Sequence, residues 1–312
     1  MRRGWRVIDL KNPSNTVASA AVFISATVWG LYWVPLRIFE ADGIEGGWSV
    51  TLLNAPPLLI LIPLLLWSWG ETKAFLGRGA LIGVFAGLGL ACYASGLVYS
   101  SVVRVTLLFY LMPVWGTLIG WIWLGERVGW QRWVAIGTGL LGMVLLLSGG
   151  AEASVPLNIG DFLGFLSGVL WAVAAALIRQ NPGLPLTASV GFQFFFTAAG
   201  AALIAVILGP AEPPALGDVI SALPLAAFAS IGFILPTVWI IFWAQQFLFP
   251  GRAGLLMMSE VMVAVLSASL FLPEEAMTGR EWIGAGLIIA ACLIEVLATP
   301  GEAHETRGQN LV

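Results

Sequence analysis

The stretch Arg104–Arg127, RVTLLFYLMPVWGTLIGWIWLGER, decides the fold because it is both a membrane span and one copy of a repeat. A helix rises about 1.5 Å per residue, so this stretch is long enough to cross the roughly 30 Å hydrocarbon core of a bilayer. Arg252-Ala253-Gly254-Leu255-Leu256 repeats its opening, and Leu272-Pro273-Glu274 repeats its closing Leu124-Gly125-Glu126. Both matches need a shift of 148 residues (252 − 104 and 274 − 126). The sequence therefore predicts a duplicated chain.

Composition places the whole chain in a membrane. Of its 312 residues, 59% are hydrophobic and only 10% are charged, against roughly 25% charged in soluble domains. The net charge of −3 gives no reason to expect a nucleic-acid partner. Cys92 and Cys292 both lie inside apolar runs and are predicted to be small buried residues rather than redox or metal groups. The predicted class is an integral membrane protein in contact with the lipid bilayer.

Ten apolar runs are long enough to be spans, and their continuity favours helices over barrel strands. The predicted spans 1 to 10 are 17–38, 48–69, 79–99, 103–124, 131–148, 160–180, 187–209, 219–244, 253–272 and 281–299. The predicted fold is therefore all-α, with ten transmembrane helices. Residues 1–16 form a cytoplasmic N-terminal segment, 17–148 a first repeat, 149–159 a linker, 160–299 a second repeat and 300–312 a flexible cytoplasmic tail.

Lysine and arginine orient the chain, because cytoplasmic loops of membrane proteins carry an excess of both. With the N-terminus in the cytoplasm and alternating sides, 11 of the 14 cations fall on the cytoplasmic side. Arg37, Arg104 and Arg280 are the exceptions. Both termini are therefore predicted to be cytoplasmic, with localisation in a bacterial inner membrane.

The repeat extends beyond span 4. Ser25, Trp29 and Arg37 in span 1 match Ser167, Trp171 and Arg179 in span 6, and residues 136–141 match 283–288. Each predicted half has five spans, an odd number, so the two halves enter the membrane from opposite sides. That is an inverted-topology repeat, from which many secondary transporters are built. The alternative is chance similarity between apolar segments.

These features resemble a known family. Two five-helix halves, the Trp29-Gly30 pair and the span-4 pattern Arg-x-Thr-Leu-Leu…Pro…Leu-Gly-Glu-Arg look like the drug/metabolite transporter superfamily, in its EamA-type branch. Within it the chain looks most like YddG-type exporters of aromatic and other neutral amino acids. The resemblance implies export by alternating access, a site surrounded by spans 1, 3, 4, 6, 8 and 9, and no cofactor. One departure is that Pro113 has Val261 as its counterpart at the 148-residue shift, which puts a proline break in the second half in doubt.

Two acids lie inside apolar runs. Glu260 is near the middle of span 9, where a charge costs about 2.5–3.5 kcal/mol, so it is either a proton- or ammonium-binding group or a neutral acid bonded to a neighbouring helix. Its counterpart at the 148-residue shift is Met112, so the acid breaks the internal symmetry. Glu295 lies close to the end of span 10, where its side chain is predicted to reach the interface.

The aromatic residues indicate a cavity. There are 15 tryptophans, and many lie away from the interfaces where tryptophan usually collects. A buried indole or phenol needs a hydrogen-bond partner, which a substrate or water in a central cavity supplies; the alternative is helix packing. The predicted substrate-binding residues are Trp29, Tyr93, Tyr110, Met112, Trp115, Trp171, Trp239, Trp243 and Glu260.

Four arginines stand in repeat-related pairs at span ends: Arg37 with Arg179, and Arg104 with Arg252. One interpretation is gating, by ion pairs with acids such as Glu40, Glu126, Glu274 or Glu275. The other is anchoring at lipid headgroups.

Enzymatic chemistry finds little support. The one histidine, His304, lies in the tail, no metal-ligand spacing occurs and there is no phosphate-binding loop. The predicted function is a non-enzymatic secondary transporter of neutral or aromatic amino acids and related metabolites, working as a monomer. The alternatives are a proton-coupled multidrug or cationic-drug exporter on the same fold, a lipid-modifying membrane enzyme, and a scaffold subunit.

Overall fold

The structure, a computed structural model, describes residue 11 and residues 13–100, 102–147, 156–208, 212–271 and 278–298. Within these ranges the chain is helical and contains no β-strand. The helices are α1 (Asn15–Trp29), α2 (Trp33–Ala41), α3 (Gly47–Asn54), α4 (Leu58–Trp67), α5 (Trp69–Thr72), α6 (Leu76–Tyr99), α7 (Val102–Phe109), α8 (Met112–Leu124), α9 (Trp130–Leu147), α10 (Ile159–Gln180), α11 (Leu186–Leu208), α12 (Leu216–Ala229), α13 (Leu235–Gln245), α14 (Pro250–Met257), α15 (Ser259–Phe271) and α16 (Gly279–Ala298).

Six helical segments in the described ranges are long and apolar enough to cross a membrane, or seven if the bent pair α3–α4 is one span. The bend between α3 and α4 is 41°. The all-helical prediction is confirmed for the described residues. The count of ten spans and their inverted arrangement remain predictions. Most of the N-terminal segment 1–16, part of the linker and the tail lie outside the described residues, as do His304, Glu274 and Glu275.

Predicted spans 4 and 9 are each interrupted at the same place in the repeat. The first break separates α7 from α8 at Tyr110 and Leu111, and the second separates α14 from α15 at Met258, which is 148 residues after Tyr110. At both points a backbone N–H reaches back three residues instead of four: Leu111 to Leu108 at 3.4 Å and Met258 to Leu255 at 3.2 Å. The second break therefore forms without a proline at Val261, so the two breaks share a position in the repeat but not a proline.

Predicted spans 1 and 8 are interrupted as well. The chain turns at residues 30–32 between α1 and α2, and a π-helical turn, Ser230–Ile234, joins α12 to α13. Pro236 follows that turn and has no N–H to donate, which disturbs the regular hydrogen bonding before it. At membrane depth, irregular backbone of this kind is tolerated where it is buried in protein or lines a cavity.

The other long helices pack by close backbone approach. A Cβ added to Gly87 on α6 would lie 2.7 Å from the carbonyl oxygen of Gln193 on α11. A Cβ added to Gly142 on α9 would lie 2.7 Å from the carbonyl oxygen of Gly284 on α16. Gly83 on α6 lies similarly close to Phe192 on α11. Gly137 on α9 faces open space instead.

Candidate transport site

A small pocket lies where the interrupted helices meet. Its volume is about 20 Å³, room for roughly one water molecule. The lining residues are Trp29, Leu90, Tyr93, Phe109, Trp171, Val238, Ile241, Met257 and Glu260. They come from predicted spans 1, 3, 4, 6, 8 and 9, the spans that the resemblance implies around the substrate site. We call this cavity the central pocket.

Glu260 is the one acidic group among the residues lining the central pocket. It lies in the first turn of α15, just after the break at Met258, and is only 7% exposed. The hydroxyl of Tyr110 donates a hydrogen bond to Glu260 Oε2 at 2.7 Å and is 3.2 Å from the carbonyl oxygen of Met257. The N-terminal turn of α15 and the tyrosine hydroxyl both offset part of the cost of a carboxylate in this position. Tyr110 is fully buried and therefore supports Glu260 from behind rather than lining the pocket.

The Trp29-Gly30 pair brings α1 against Glu260. A Cβ on Gly30 would lie 2.7 Å from the carbonyl oxygen of Glu260 and 2.8 Å from Val263 Cβ, so only glycine allows this approach. The Trp29 ring stacks on Tyr32, with ring centroids 4.8 Å apart and planes 6° from parallel. The chain turn after Gly30 makes that stacking possible, because it folds Tyr32 back beside Trp29.

Trp171, the repeat-related counterpart of Trp29, forms the opposite side of the pocket. It meets Phe242 edge-to-face at 6.4 Å between centroids. Its indole Nε1 is buried and has no hydrogen-bond partner among the described residues. Tyr93 and Phe109 complete the aromatic lining, with centroids 4.6 Å apart. Aromatic rings on several sides and one spare N–H donor suit a planar molecule with a polar acceptor.

Four predicted site residues lie elsewhere. Met112 packs beside Gly254 where α8 crosses α14. Trp115 contacts Phe165 edge-to-face at 5.6 Å. Trp239 and Trp243 pack against the edge of the core, because Val238 and Ile241 occupy the face of α13 that lines the pocket. These four residues do not line the central pocket, because the depth of a residue in a span does not specify its helix face. Their role in substrate binding stays a prediction.

The structure describes the side chains of three of the four arginines predicted to gate. Arg37 is exposed, and the side chain of Arg104 lies outside the described part of the chain. Arg179 donates to the carbonyl oxygen of Gln246 at 3.1 Å and lies over the ring of Phe249 at 4.8 Å. Arg252 is buried and donates to Ser19 Oγ at 3.1 Å.

A charged cluster that the sequence did not reveal lies between α9 and α16. Arg132 is 2.6 Å from Glu126 Oε1 and 2.8 Å from Glu295 Oε1, and all three side chains are buried. The prediction that Glu295 reaches the interface was wrong, since Arg132 supplies the counter-charge inside the protein. We call Glu126, Arg132 and Glu295 the buried charge cluster.

Two hydrogen bonds fix the chain after the turn in span 1. Trp33 Nε1 donates to Ser267 Oγ at 3.1 Å, and Asn54 Nδ2 donates to the Tyr32 hydroxyl oxygen at 3.2 Å. Sequence reasoning missed these residues, because each partner is remote in the chain. The described residues hold no group of three or more His, Cys, Asp or Glu side chains able to bind a metal.

Comparison with known proteins adds the family. Residues 16–148 and 158–297 each match the profile described as the EamA-like transporter family. The chain belongs to this family. EamA-like transporters form part of the drug/metabolite transporter superfamily, so the predicted resemblance is confirmed at that level. Membership makes the protein a membrane transporter, and its apolar helices agree with that assignment.

Relatives leave the substrate open. An uncharacterized transporter of Archaeoglobus fulgidus is 27% identical over 290 residues, 88% of this chain and 94% of the relative. A riboflavin transporter of Rhizobium johnstonii is 27% identical over 214 residues, 67% of each chain. The fold is also similar to that of a protein with a solved crystal structure, with a TM-score of 0.69 and 20% sequence identity. The match covers 91% of this EamA-like chain and 97% of the other protein's chain.

Proposed function

We propose that this EamA-like protein exports neutral or aromatic amino acids and related small metabolites by alternating access around the central pocket. The observation that carries the proposal is a pocket lined by aromatic rings with a single acid, Glu260, held by Tyr110. The protein acts as a monomer in a bacterial inner membrane, with both termini in the cytoplasm. Its ten transmembrane helices form two inverted five-helix repeats.

Three observations support the inverted repeat. The family profile matches two successive ranges of similar length, 16–148 and 158–297. The breaks at Tyr110 and Met258 lie 148 residues apart, the shift at which the sequence repeats. Repeat-related spans also pack on each other: α8 of span 4 contacts α14 of span 9, and α9 of span 5 contacts α16 of span 10. Trp29 and Trp171 then enter the central pocket from equivalent positions.

The chemistry of the pocket favours a neutral amino acid with an apolar or aromatic side chain. Glu260 attracts an ammonium group, the rings of Trp29 and Trp171 contact a planar side chain, and Trp171 Nε1 is available to an acceptor. Among the described residues, no lysine or arginine lines the pocket, which disfavours phosphorylated substrates. At about 20 Å³ the pocket is too small for an amino acid, so binding requires the helices to separate, in keeping with alternating access. Arg37, Arg104, Arg179 and Arg252 remain proposed gating residues.

A second candidate function rests on Glu260 alone. A buried acid in a transporter pocket can exchange a proton for a cationic substrate, so a proton-coupled exporter of cationic drugs fits the same fold. The two functions differ in what Glu260 must do. Proton-driven cation efflux requires an ionisable group at this position, whereas facilitated export of a neutral amino acid needs only a polar one.

Flux from proteoliposomes tests both functions. Vesicles are loaded with tryptophan, phenylalanine, threonine, methionine, lysine, glutamate, riboflavin or a quaternary ammonium drug, and efflux is measured with and without a pH gradient. The proposal expects the neutral amino acids to leave without the gradient, and Glu260→Gln to retain part of that flux. Movement of the cation alone, only with the gradient and abolished in Glu260→Gln, would establish the second function instead. Riboflavin is included because one relative carries that name.

A further inference from the structure

A second, larger cavity lies beside the central pocket. Its volume is about 340 Å³, within the range of small-molecule sites, while the central pocket has about 20 Å³. It runs between α1–α2 on one side and α12, the π-helical turn and α13 on the other. Tyr32 and Thr237 are the polar side chains among its lining residues. We call it the lateral groove.

The rim of the lateral groove is apolar and open. Val28, Leu31, Ile38, Phe228 and Phe233 line it and are each 38–65% exposed. In a membrane protein, exposed apolar side chains along a span face hydrocarbon. Phe228 and Phe233 meet edge-to-face at 5.4 Å between centroids and form one lip. The groove therefore opens towards the lipid-facing surface.

Both walls of the lateral groove are interrupted helices. The turn at residues 30–32 forms part of one wall, and the π-helical turn Ser230–Ile234 forms part of the other. Gly232 in the π-helical turn has no neighbouring atom within 4 Å of an added Cβ, so this wall has room to move. Helices interrupted in this way change their bend more easily than continuous ones.

Trp29 joins the two cavities. It lines both the central pocket and the lateral groove, and it stacks with Tyr32, which lines the groove alone. A movement of the Trp29–Tyr32 pair away from α13 therefore opens one space into the other. A passage at this stacked pair suits a planar aromatic ring, because such a ring can stack on Trp29 or on Tyr32 once the two separate.

We propose that the lateral groove binds the aromatic ring of a transported molecule and passes it to or from the central pocket across the Trp29–Tyr32 pair. This inference rests on the proposed function, since it names the ring-bearing members of that substrate class. The ring is favoured over a lipid acyl chain because the groove leads to the central pocket through a stacked aromatic pair. A purely lipid-filled crevice needs no such connection.

The inference is tested by measuring the affinity of 5-fluoroindole for the protein in lipid nanodiscs. Fluorine NMR detects the bound ligand, and empty nanodiscs serve as the blank. Ala229→Phe fills the groove, because Ala229 lines it and is partly exposed. Ala227→Phe is the matched control, since Ala227 is also partly exposed on α12 but does not line the groove. The expected result is an affinity about tenfold weaker in Ala229→Phe, equivalent to roughly 1.4 kcal/mol, and within twofold of wild type in Ala227→Phe.

Equal affinity in all three proteins would overturn the inference. So would a phospholipid that mass spectrometry finds retained in the wild type and lost in Ala229→Phe, if 5-fluoroindole does not displace it. Flux separates this failure from failure of the proposed function. If wild-type vesicles export tryptophan and threonine but Ala229→Phe slows both equally or neither, the transport function stands and the groove does not carry the ring. If 5-fluoroindole binds as expected but no amino acid is exported, the groove stands as a ring site and the proposed function fails.

Discussion

Replacement of Gly30 by alanine is the sharpest test of how the site is built. The added Cβ would lie 2.7 Å from the carbonyl oxygen of Glu260, whereas ordinary contacts begin at 3.4 Å, so α1 and α15 must separate by 0.7 Å (3.4 − 2.7). Val263 Cβ at 2.8 Å and Ala264 N at 3.1 Å block sideways escape. Gly30 has φ −58° and ψ −14°, which alanine adopts freely, so the expected effect is steric and not conformational.

The expected cost is that of overpacking a closely fitted interior, about 1–3 kcal/mol. In a protein of this size that lowers the melting midpoint by roughly 1.5–4.5 °C. Separation of Trp29 from Glu260 also moves the two main groups of the central pocket, so amino-acid efflux is expected to fall by about tenfold or more. Gly286→Ala on α16 is the control, because an added Cβ there meets nothing within 4 Å. Its midpoint is expected to stay the same or rise, as alanine favours a helix over glycine.

The assays are melting of the purified protein, followed by its intrinsic fluorescence, and efflux from proteoliposomes. If Gly30→Ala keeps both the midpoint and the flux of the wild type, the close approach of α1 to α15 does not hold the site, and the reasoning is refuted. A lower midpoint shared by Gly286→Ala would also count against it, because the effect would then be general to helical glycines.

Three further outcomes follow from buried polar contacts. Tyr110→Phe removes the hydroxyl bonded to Glu260, so the melting midpoint should fall by the equivalent of about 1–3 kcal/mol; an unchanged midpoint would mean that this hydrogen bond is not needed. Arg132→Ala leaves the two carboxylates of the buried charge cluster without their counter-charge, so the free energy of unfolding should fall by about 3–5 kcal/mol. Chemical denaturation measures this change, and a loss below about 1 kcal/mol would contradict the burial of the cluster. Arg252 Nη1 has no hydrogen-bond partner among the described residues, and Ser19, which accepts from Arg252 Nε, corresponds to Asp161 at the 142-residue shift of the repeat. Ser19→Asp would give the buried guanidinium a counter-charge and should raise the melting midpoint, whereas the neutral Ser19→Asn should not.

Much of the fold could be predicted because a bilayer allows few solutions. Long apolar runs must be helical, and the described helices other than the short α5 overlap the predicted spans along most of their length. The interruptions were harder to predict. The break at Met258 has no proline and is visible in sequence only through its 148-residue relation to Tyr110. A helix break formed by a backbone hydrogen bond from residue i to residue i−3 requires no particular residue type, so the sequence does not reveal it.

The central pocket was predictable where a residue was chemically unusual. Trp29, Tyr93, Trp171 and Glu260 were identified because an aromatic ring or an acid at mid-span needs a reason. The partners were not predictable, because a contact such as Arg132 with Glu295 joins positions 163 residues apart (295 − 132). The rotation of each helix about its own axis could not be predicted either, because an apolar span such as α13 has no polar face that would show which side is buried.

The most direct test of the transport function is tryptophan counterflow. Proteoliposomes filled with unlabelled tryptophan are diluted into a trace of labelled tryptophan, with no pH or ion gradient. We expect a transient accumulation of label inside wild-type vesicles, and a several-fold smaller one with Trp171→Ala. Absence of accumulation for tryptophan, phenylalanine and threonine in the wild type, with a quaternary ammonium drug moving only under a pH gradient, would contradict it.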